Sequence, residues 1–382
     1  GTFTSTYKEK KVKKMKQAIY IFTLILVLLM LVSCGKKSTE PSQVEPVTFS
    51  LAPGTYNYAP SIFLNSATPG ADIRYTTDGT SPDTSSTAFA VGIPVYPVVL
   101  DHSCTLKAFA WKEGMDNSVI TSSQYIVNIT TPAQSMVQVE GGTFNPAANY
   151  TVTLSSFYIS NFEVTQEEYL AVMGINPSFF SFGAHRPVEQ VSWFKAVEYC
   201  NRLSMTKSAT PCYSYGTYGT NPANWPAGWD NDYNNQVNIA CDWAANGFRL
   251  PTEMEWMFAA RGGNQSHNYT YAGGNELQPY VWAYTTSLDQ TNPVGLKLPN
   301  ELGLYDMSGN VTEWLWDQLE MYSTYPDGAA TDPHGPGTGI NRAHRGGSAS
   351  SEAQWCEVAR RGASFPDTMS GWMGFRVCRA SL

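Results

Sequence analysis

Four short segments in the first third of the chain alternate apolar and polar residues, at positions 47–51, 73–76, 106–111 and 124–128. A period of two residues is typical of strands with one buried face, and turns rich in Gly, Pro, Asn and Asp separate the four segments. Short strands at this spacing predict a small all-β, immunoglobulin-like sandwich over residues 47–128.

Two later segments, 166–174 and 193–204, instead carry apolar residues every three to four positions. This period predicts two amphipathic helices that pack against a core, the second of them capped by Ser192. Between 210 and 245 no helical period is present, and Tyr, Asn, Gly and Trp are frequent. This composition predicts a long insertion that folds as a hairpin, returns at 237–241 and flanks a binding site.

A third, short helix is predicted to start within residues 250–253, because proline is favoured in the first helical turn and acidic residues stabilise a helix N-terminus. Trp256 would face inward. The charged side chains of Arg249, Glu253 and Glu255 allow two interpretations, an ion pair at the helix start or a catalytic cluster. The ion pair is the favoured one.

The segment 349–373 near the C-terminus follows neither period. It mixes small, acidic, amide and basic residues with the large apolar side chains of Trp355, Phe365, Met369 and Trp372. A core strand would alternate, and a solvated loop would not carry so many large apolar groups. Composition alone leaves two interpretations open: a binding surface for a partner, or an irregular C-terminus whose aromatic side chains are buried.

The start of the chain has the pattern of a targeting signal. A basic run at 8–16 precedes an apolar stretch at 18–32, which has the length of a signal-peptide core. The following residues, Leu31-Val-Ser-Cys34-Gly35, resemble a bacterial lipobox. We therefore predict a signal peptide at 1–33 with Met15 as a suitable start, a lipidated Cys34, and a polar tether at 34–46. The alternative is an ordinary signal peptide with an incidental cysteine.

The charge of the chain bears on its partners. The whole chain has a net charge of −8, and the part from Cys34 onward has 18 basic and 31 acidic residues, a net charge of about −13. Nucleic acid and anionic membrane surfaces are therefore poor partners.

The prediction is an exported bacterial lipoprotein of the outer membrane, held by its lipid anchor and exposed at the cell surface, whose partner is an extracellular protein or glycan.

Six cysteines follow Cys34 in a compartment that permits disulfides, and six cysteines allow fifteen full pairings. The preferred pairs are Cys212 with Cys241 and Cys356 with Cys378, because each pair brackets an irregular insertion. Cys104 and Cys200 stand in apolar contexts and are expected to be buried thiols. The chain has no C-x-x-C motif, so a zinc site is not expected.

A series of motifs resembles the formylglycine-generating-enzyme (sulfatase-modifying factor) family. In order, they begin at Met136 (MVQVEGGTF), Phe162 (FEVTQ), Arg186 (RPVEQVSW), Gly247 (GFRLPTEMEW), Asn300 (NELGLYDMSGNVTEW), Arg345 (RGGS) and Gly374 (GFRV). The resemblance covers residues 132–382 and implies an α+β C-type lectin-like fold with little regular secondary structure.

A second resemblance concerns the sandwich. The line Pro69-Gly-Ala-Asp-Ile-Arg-Tyr-Thr-Thr-Asp-Gly-Thr-Ser-Pro82 is similar to the C-terminal module of chitobiases and β-hexosaminidases, usually an accessory spacer. Asp78 and Asp83 within it first of all form turns. The spacer interpretation is favoured over a glycan-binding one, which would make the protein a carbohydrate-binding lipoprotein.

The first resemblance also implies metal sites. The family takes calcium, through two side chains and two backbone carbonyls, with the segment that matches residues 306–313 here. Carried over, the hard oxygen donors are Asp306, Gly309, Val311 and Glu313. We expect one structural calcium ion at most, with a purely hydrogen-bonded turn as the alternative.

In the family, two thiolates five positions apart hold the copper(I) at which oxygen oxidises a substrate cysteine. The matching positions are Ser351 and Cys356. A hydroxyl cannot replace a thiolate on copper(I), so no copper is expected and the domain is predicted to be non-catalytic. The alternative is an exported oxidase or sulfatase-maturation relative that uses Cys356 alone.

The segment 349–373, between RGGS and GFRV, further resembles the variable region of diversity-generating-retroelement lipoproteins of the TvpA type. In these proteins adenine-directed mutagenesis rewrites codons, and a lectin fold displays the products for ligand binding. The resemblance and the position of each residue give thirteen candidate ligand-binding side chains: Ser350, Ser351, Glu352, Gln354, Trp355, Glu357, Arg360, Ser364, Phe365, Asp367, Thr368, Met369 and Trp372. Trp355, Phe365 and Trp372 are the predicted anchors.

Overall fold

The computed structural model describes residues 43–56, 60–89, 97–100, 102–128, 134–181, 183, 185–319 and 324–381. The predicted signal peptide, most of the tether and Cys34 lie outside the described residues. Within the described ranges, no helix combines the length and the apolar character needed to cross a bilayer.

The N-terminal domain is entirely β, as its alternating pattern predicts. Its strands are β1 (Val47–Phe49), β2 (Gly54–Tyr56), β3 (Ser61–Ile62), β4 (Leu64–Ser66), β5 (Asp72–Thr76), β6 (Thr87–Phe89), β7 (Val98–Val99), β8 (Cys104–Trp111) and β9 (Thr121–Val127). Five of them form one sheet in the order β2-β9-β8-β5-β6, and the pairs β1-β4 and β3-β7 form two small sheets. Inward residues such as Ile73, Leu106 and Tyr125 make one apolar core.

The C-terminal domain contains twelve short strands among the described residues: β10 (Met136–Val139), β11 (Gly142–Ala147), β12 (Tyr150–Leu154), β13 (Phe157–Ser160), β14 (Tyr213–Tyr215), β15 (Ile239–Cys241), β16 (Thr312–Leu319), β17 (Gly328–Thr331), β18 (Asn341–Arg345), β19 (Arg361–Ser364), β20 (Met373–Gly374) and β21 (Cys378–Ala380). They form four sheets, ordered β10-β13-β21, β11-β12-β17, β14-β15 and β19-β18-β16-β20. The pair β14-β15 is the hairpin predicted for the insertion.

The helices of this domain are α1 (Gln166–Met173), α2 (Trp193–Thr206), α3 (Glu253–Ala260), α4 (Leu277–Tyr280) and α5 (Tyr284–Ser287). The side chain of Ser192 caps α2 by accepting the N–H of Lys195, which confirms the predicted cap. Helix α3 begins at Glu253, the last of the predicted start positions 250–253. Thr252 and Glu255 form a capping box, and Pro251 stands before the helix instead of in its first turn.

Two buried clusters surround the strands of the last sheet. One gathers apolar residues of β12, β13 and α3 around Trp256, and the other gathers α2 and the hairpin around Trp193 and Trp314. All three indole rings are fully buried. This core holds β16 and β18 in place. The segment 349–373 follows β18 in the chain and ends at β20, which pairs with β16.

Candidate functional site

The segment 349–373 starts at a tight turn that only glycine permits. Strand β18 ends at Arg345, and Gly346 and Gly347 follow with φ of 91° and 67°. A β-carbon at Gly347 would lie 2.7 Å from the carbonyl oxygen of Trp355. The turn is held by the N–H of Gly309, which donates to the carbonyl of Gly346 at 2.8 Å. The RGGS motif is therefore a fixed exit point for the chain.

Buried ion pairs hold both ends of the segment. Before the start, Glu253 accepts the Nε–H group of Arg345 at 3.0 Å, and it also accepts that of Arg361, in the middle of the segment, at 2.8 Å. At the end, Arg376 donates to the two oxygens of Glu313 at 2.7 and 2.8 Å, and both side chains are fully buried. Burial alone would raise the pKa of Glu253, but the guanidinium groups of Arg345 and Arg361 outweigh it and lower that pKa. We call the buried part of the domain that holds the segment in place the frame. The carboxylates of Glu253 and Glu313 belong to it, as does that of Glu255, which pairs with Arg249.

Hydrogen bonds from the surrounding domain fix the backbone between these ends. The carbonyls of Ser351, Pro366, Ser370 and Trp372 accept from the backbone N–H groups of Tyr284, Trp193, Gln190 and Thr312, at distances of 2.8 to 3.0 Å. Each of these bonds joins main-chain atoms. The path of the segment therefore depends little on which side chains it carries.

All thirteen predicted ligand-binding side chains remain at least partly exposed in the structure. Trp355, Phe365 and Met369 are 52%, 42% and 62% exposed, which is unusual for side chains of this size. We call these thirteen residues the display surface: Ser350, Ser351, Glu352, Gln354, Trp355, Glu357, Arg360, Ser364, Phe365, Asp367, Thr368, Met369 and Trp372. The interpretation of the segment as a buried, irregular C-terminus does not hold.

Three members of the display surface also have partners inside the domain. The hydroxyl of Ser351 lies 3.0 Å from both the N–H and the hydroxyl of Ser348, so it helps to close the RGGS turn. The hydroxyl of Ser364 lies 3.1 Å from Nε2 of His344. The Trp372 ring packs on Phe180 with 4.9 Å between ring centroids. These three side chains are therefore less available for ligand binding than the prediction from sequence position assumed.

The structure adds features that the sequence pattern did not reveal. Residues 361–364 form strand β19, which pairs with β18, although no strand was predicted there. The ring of Tyr233, from the insertion, lies 5.0 Å from that of Phe365, so the insertion flanks the display surface as predicted. Phe179, 63% exposed, stacks edge-on against Phe180 beside Trp372. The adjacent Phe179 and Phe180 in a polar stretch are the sequence feature that could have predicted this addition to the display surface.

The residues at the copper positions do not fit a copper(I) centre. Ser351 offers a hydroxyl that is already engaged at the turn, and Cys356 is fully buried with its sulfur 3.8 Å from the carbonyl of Ser348. Burial raises the pKa of the Cys356 thiol to about 12, so it stays protonated at neutral pH. One protonated thiol cannot supply the two thiolates that copper(I) requires.

Neither predicted disulfide is formed. Cys212, Cys241, Cys356 and Cys378 are all free thiols. The sulfur of Cys378 accepts a hydrogen bond from Arg249 at 2.9 Å, whereas Cys356 belongs to a separate small cluster under the turn. Cys212 lies opposite Asp242 on the hairpin and Cys241 lies opposite Tyr213, so the two cysteines are not a direct cross-strand pair. Cys200 is buried, as predicted, and Cys104 is half-buried.

The side chains expected to bind calcium have contrasting surroundings. Both oxygens of Glu313 are taken by Arg376, and one of them also accepts the indole N–H of Trp256 at 2.7 Å. Asp306 accepts the N–H of Gly295 through Oδ2 at 2.6 Å, but its buried Oδ1 has no partner. Gly309 and Val311 would offer only their backbone carbonyl oxygens, and Val311 is fully buried.

A second carboxylate, that of Glu163, interacts electrostatically with Asp306. Both of its oxygens are buried without a partner, and burial together with the charge of Asp306 raises its pKa well above the usual range. Unpartnered carboxylate oxygens in a core suit a hard cation. Asp306 with Glu163 therefore fits calcium better than Asp306 with Glu313. Within the described ranges, no three Asp, Glu, His or Cys side chains form a metal cluster, and calcium stays a prediction.

Two family models match the chain. The Sulfatase-modifying factor enzyme 1-like domain matches residues 123–381, and the Chitobiase/beta-hexosaminidase C-terminal domain matches residues 51–123. Chaperone protein LppX of Paenibacillus barcinonensis is 42% identical over 209 residues, which cover 49% of this chain and 73% of that protein. Formylglycine-generating enzyme of Streptomyces coelicolor is 39% identical over 159 residues, 37% of this chain and 49% of the enzyme, so the chain spans about half the length of that relative.

Among solved structures, Treponema denticola variable protein 1 is similar to the chain. The TM-score is 0.58 at 33% sequence identity, and the match covers 65% of this chain and 100% of that protein.

Proposed function

The chain belongs to the Sulfatase-modifying factor enzyme 1-like family, and from this premise we propose that it is a non-catalytic lipoprotein whose display surface binds a ligand outside the cell. The α+β C-type lectin-like fold implied by the motifs is confirmed, with mostly β structure and few helices, as is the chitobiase-type module before it. The proposal therefore concerns what this shared fold does in this chain.

One observation carries the proposal. The frame bonds to the backbone of the segment 349–373, while the thirteen side chains of the display surface point at least partly to solvent. Exposed side chains on a backbone fixed in this way can change at little cost in stability, since surface substitutions usually fall within about 0.5 kcal/mol. A surface of this kind is suited to binding and to change.

The chemistry of the site argues against the oxidase alternative. The position of one copper thiolate holds Ser351, and the other holds a buried thiol whose pKa is raised to about 12. The similarity to Treponema denticola variable protein 1, which covers the whole of that protein, further supports a non-catalytic role. Binding energy would come mainly from Trp355 and Phe365, with Trp372 shared between the frame and the ligand.

Three further parts of the proposal accompany the binding role. Cys34 carries the lipid that anchors the protein at the outer membrane and the cell surface, and the sandwich acts as a spacer. One calcium ion is held near Asp306. The codons of the segment 349–373 are diversified by a retroelement. The absence of Asn from this segment agrees with rewritten codons of that type.

A library experiment tests the display role. Codons for six display-surface positions would be randomised in the full chain: Glu352, Gln354, Trp355, Phe365, Asp367 and Met369. A matched library would randomise three buried positions of the frame: Glu253, Arg345 and Arg376. We expect most display-surface variants to resist proteolysis and some to bind a purified soluble protein target, and most frame variants to be degraded. Equal sensitivity of the two libraries would contradict the proposal.

The gene supplies an independent test of diversification. We expect a near-identical copy of codons 349 to 373 beside a reverse-transcriptase gene, with differences confined to template adenines. A locus without such a copy would remove the retroelement part of the proposal and leave the binding role standing.

A further inference from the structure

A small cavity opens within the display surface. It has a volume of about 280 Å³, and its floor is backbone from Gly346, Gly347 and Gly362. A β-carbon at Gly362 would lie 2.1 Å from the ring of His344, so only glycine at this position lets that ring pack beside the cavity. The cavity is smaller than the 300–1,000 Å³ typical of sites for whole small molecules. It has the size to take one side chain of a larger ligand.

The walls of the cavity carry excess positive charge. The guanidinium groups of Arg345, Arg360 and Arg361 line it, but Arg345 and Arg361 share the buried carboxylate of Glu253. Burial lowers the pKa of the lining His344 to about 4, so this ring is neutral at pH 7 and adds nothing to the positive charge. Arg360 is the cationic group that a ligand in the cavity would meet.

The side chain of Arg360 is held in position, but not all of its hydrogen-bond donors have a partner in the described part of the chain. Its Nε donates to the carbonyl of Gln354 at 3.1 Å and lies 3.4 Å from the carboxylate of Glu357. Its guanidinium lies 5.5 Å from the centre of the Trp355 ring, which is a cation–π distance. Among the described residues its two terminal nitrogens have no hydrogen-bond partner, and the side chain is 48% exposed. Two aligned N–H donors with no acceptor match the geometry of a carboxylate.

We propose that this cavity binds the carboxylate of an Asp or Glu side chain of a protein partner, through Arg360, with the Trp355 ring against the neighbouring part of that partner. This inference rests on the proposed binding function and names the class of ligand. The cavity is too small for a folded partner, while exposed Phe365 and Met369 offer further contact area beside it. An acidic side chain on an extended or loop segment fits both features.

The test selects ligands without assuming their identity. A phage library of random dodecapeptides would be panned on the full chain, and the dissociation constant of an enriched peptide would be measured by fluorescence anisotropy. We expect enrichment of Asp or Glu at one peptide position. Arg360→Gln should weaken binding about tenfold or more, since hydrogen bonds to charged groups are among the strong ones. Arg202→Gln, which changes an exposed arginine on α2, should leave binding unchanged.

A double-mutant cycle identifies the contact. Changing the acidic residue of the peptide to its amide should weaken binding to the wild-type chain, and should have little further effect on Arg360→Gln. If Phe365→Ala with Met369→Ala abolishes binding but Arg360→Gln and the amide peptide do not weaken it, the carboxylate inference is wrong and the proposed function stands. If peptides bind but none of these variants matters, both are wrong. If no peptide is enriched, the carboxylate inference is wrong, and the library experiment above decides the proposed function.

Discussion

Arg376 gives the sharpest prediction about the frame. It is fully buried, donates twice to Glu313, and also donates to the carbonyls of Ser160 at 3.0 Å and Tyr305 at 2.9 Å. Arg376→Met would leave the Glu313 carboxylate in the core without a counter-charge. Breaking one side of a buried ion pair costs about 3–5 kcal/mol. The positive charge of Arg376 also favours ionised Glu163 and Asp306, so we expect a loss in the upper part of this range.

Urea unfolding followed by tryptophan fluorescence measures this loss. Ten of the eleven tryptophans lie after residue 132, so the signal reports the C-terminal domain. The matched control is Arg360→Met, an identical exchange at a half-exposed arginine, which should change the free energy of unfolding by less than about 0.5 kcal/mol. If the two variants lose similar amounts, the division into a buried frame and an exposed display surface is wrong.

Three further predictions follow from the same features. Trp355→Ala with Met369→Ala should lower the free energy of unfolding by less than about 1 kcal/mol in the same assay, because both side chains are more than half exposed; a loss above about 3 kcal/mol would contradict this. Burial, then the charge of Glu253, raises the pKa of Asp317 to about 8. The contribution of Asp317 to the free energy of unfolding is therefore fully present below about pH 4 and is lost as the pH rises to about 8. Asp317→Asn should therefore gain stability relative to wild type, by more than about 1 kcal/mol, in urea titrations between pH 5 and 8; a constant difference would refute the assignment. Chelation of calcium should lower the thermal midpoint of the wild type and have no effect on Asp306→Asn, and an unchanged wild-type midpoint would argue against a calcium site.

Local signals in the sequence predicted the regular elements well. The cap at Ser192, the inward Trp256 and the hairpin of the insertion depend on residues close together in the chain. Strand β19 (Arg361–Ser364) could not be predicted in this way. Its residues have low strand propensity, and only pairing with β18, about twenty positions earlier, makes them a strand.

The candidate site was predicted only in part, because some of its contacts also join residues that are distant in sequence. That the segment 349–373 is exposed followed from its lack of period and its fixed flanks. The contact between Tyr233 and Phe365 and the separation of Cys356 from Cys378 depend on positions distant in sequence. The unpartnered carboxylate of Glu163 likewise appears only when the strands and loops are packed together.

Copper(I) titration of the purified chain, with oxygen consumption measured on a cysteine-containing peptide, tests the central claim most directly. A formylglycine-generating enzyme serves as the positive control. With Ser351 at one thiolate position and a protonated Cys356 at the other, we predict neither stoichiometric copper(I) binding nor oxygen uptake. Tight binding of one copper ion with turnover would show that the chain is an oxidase and contradict the display function.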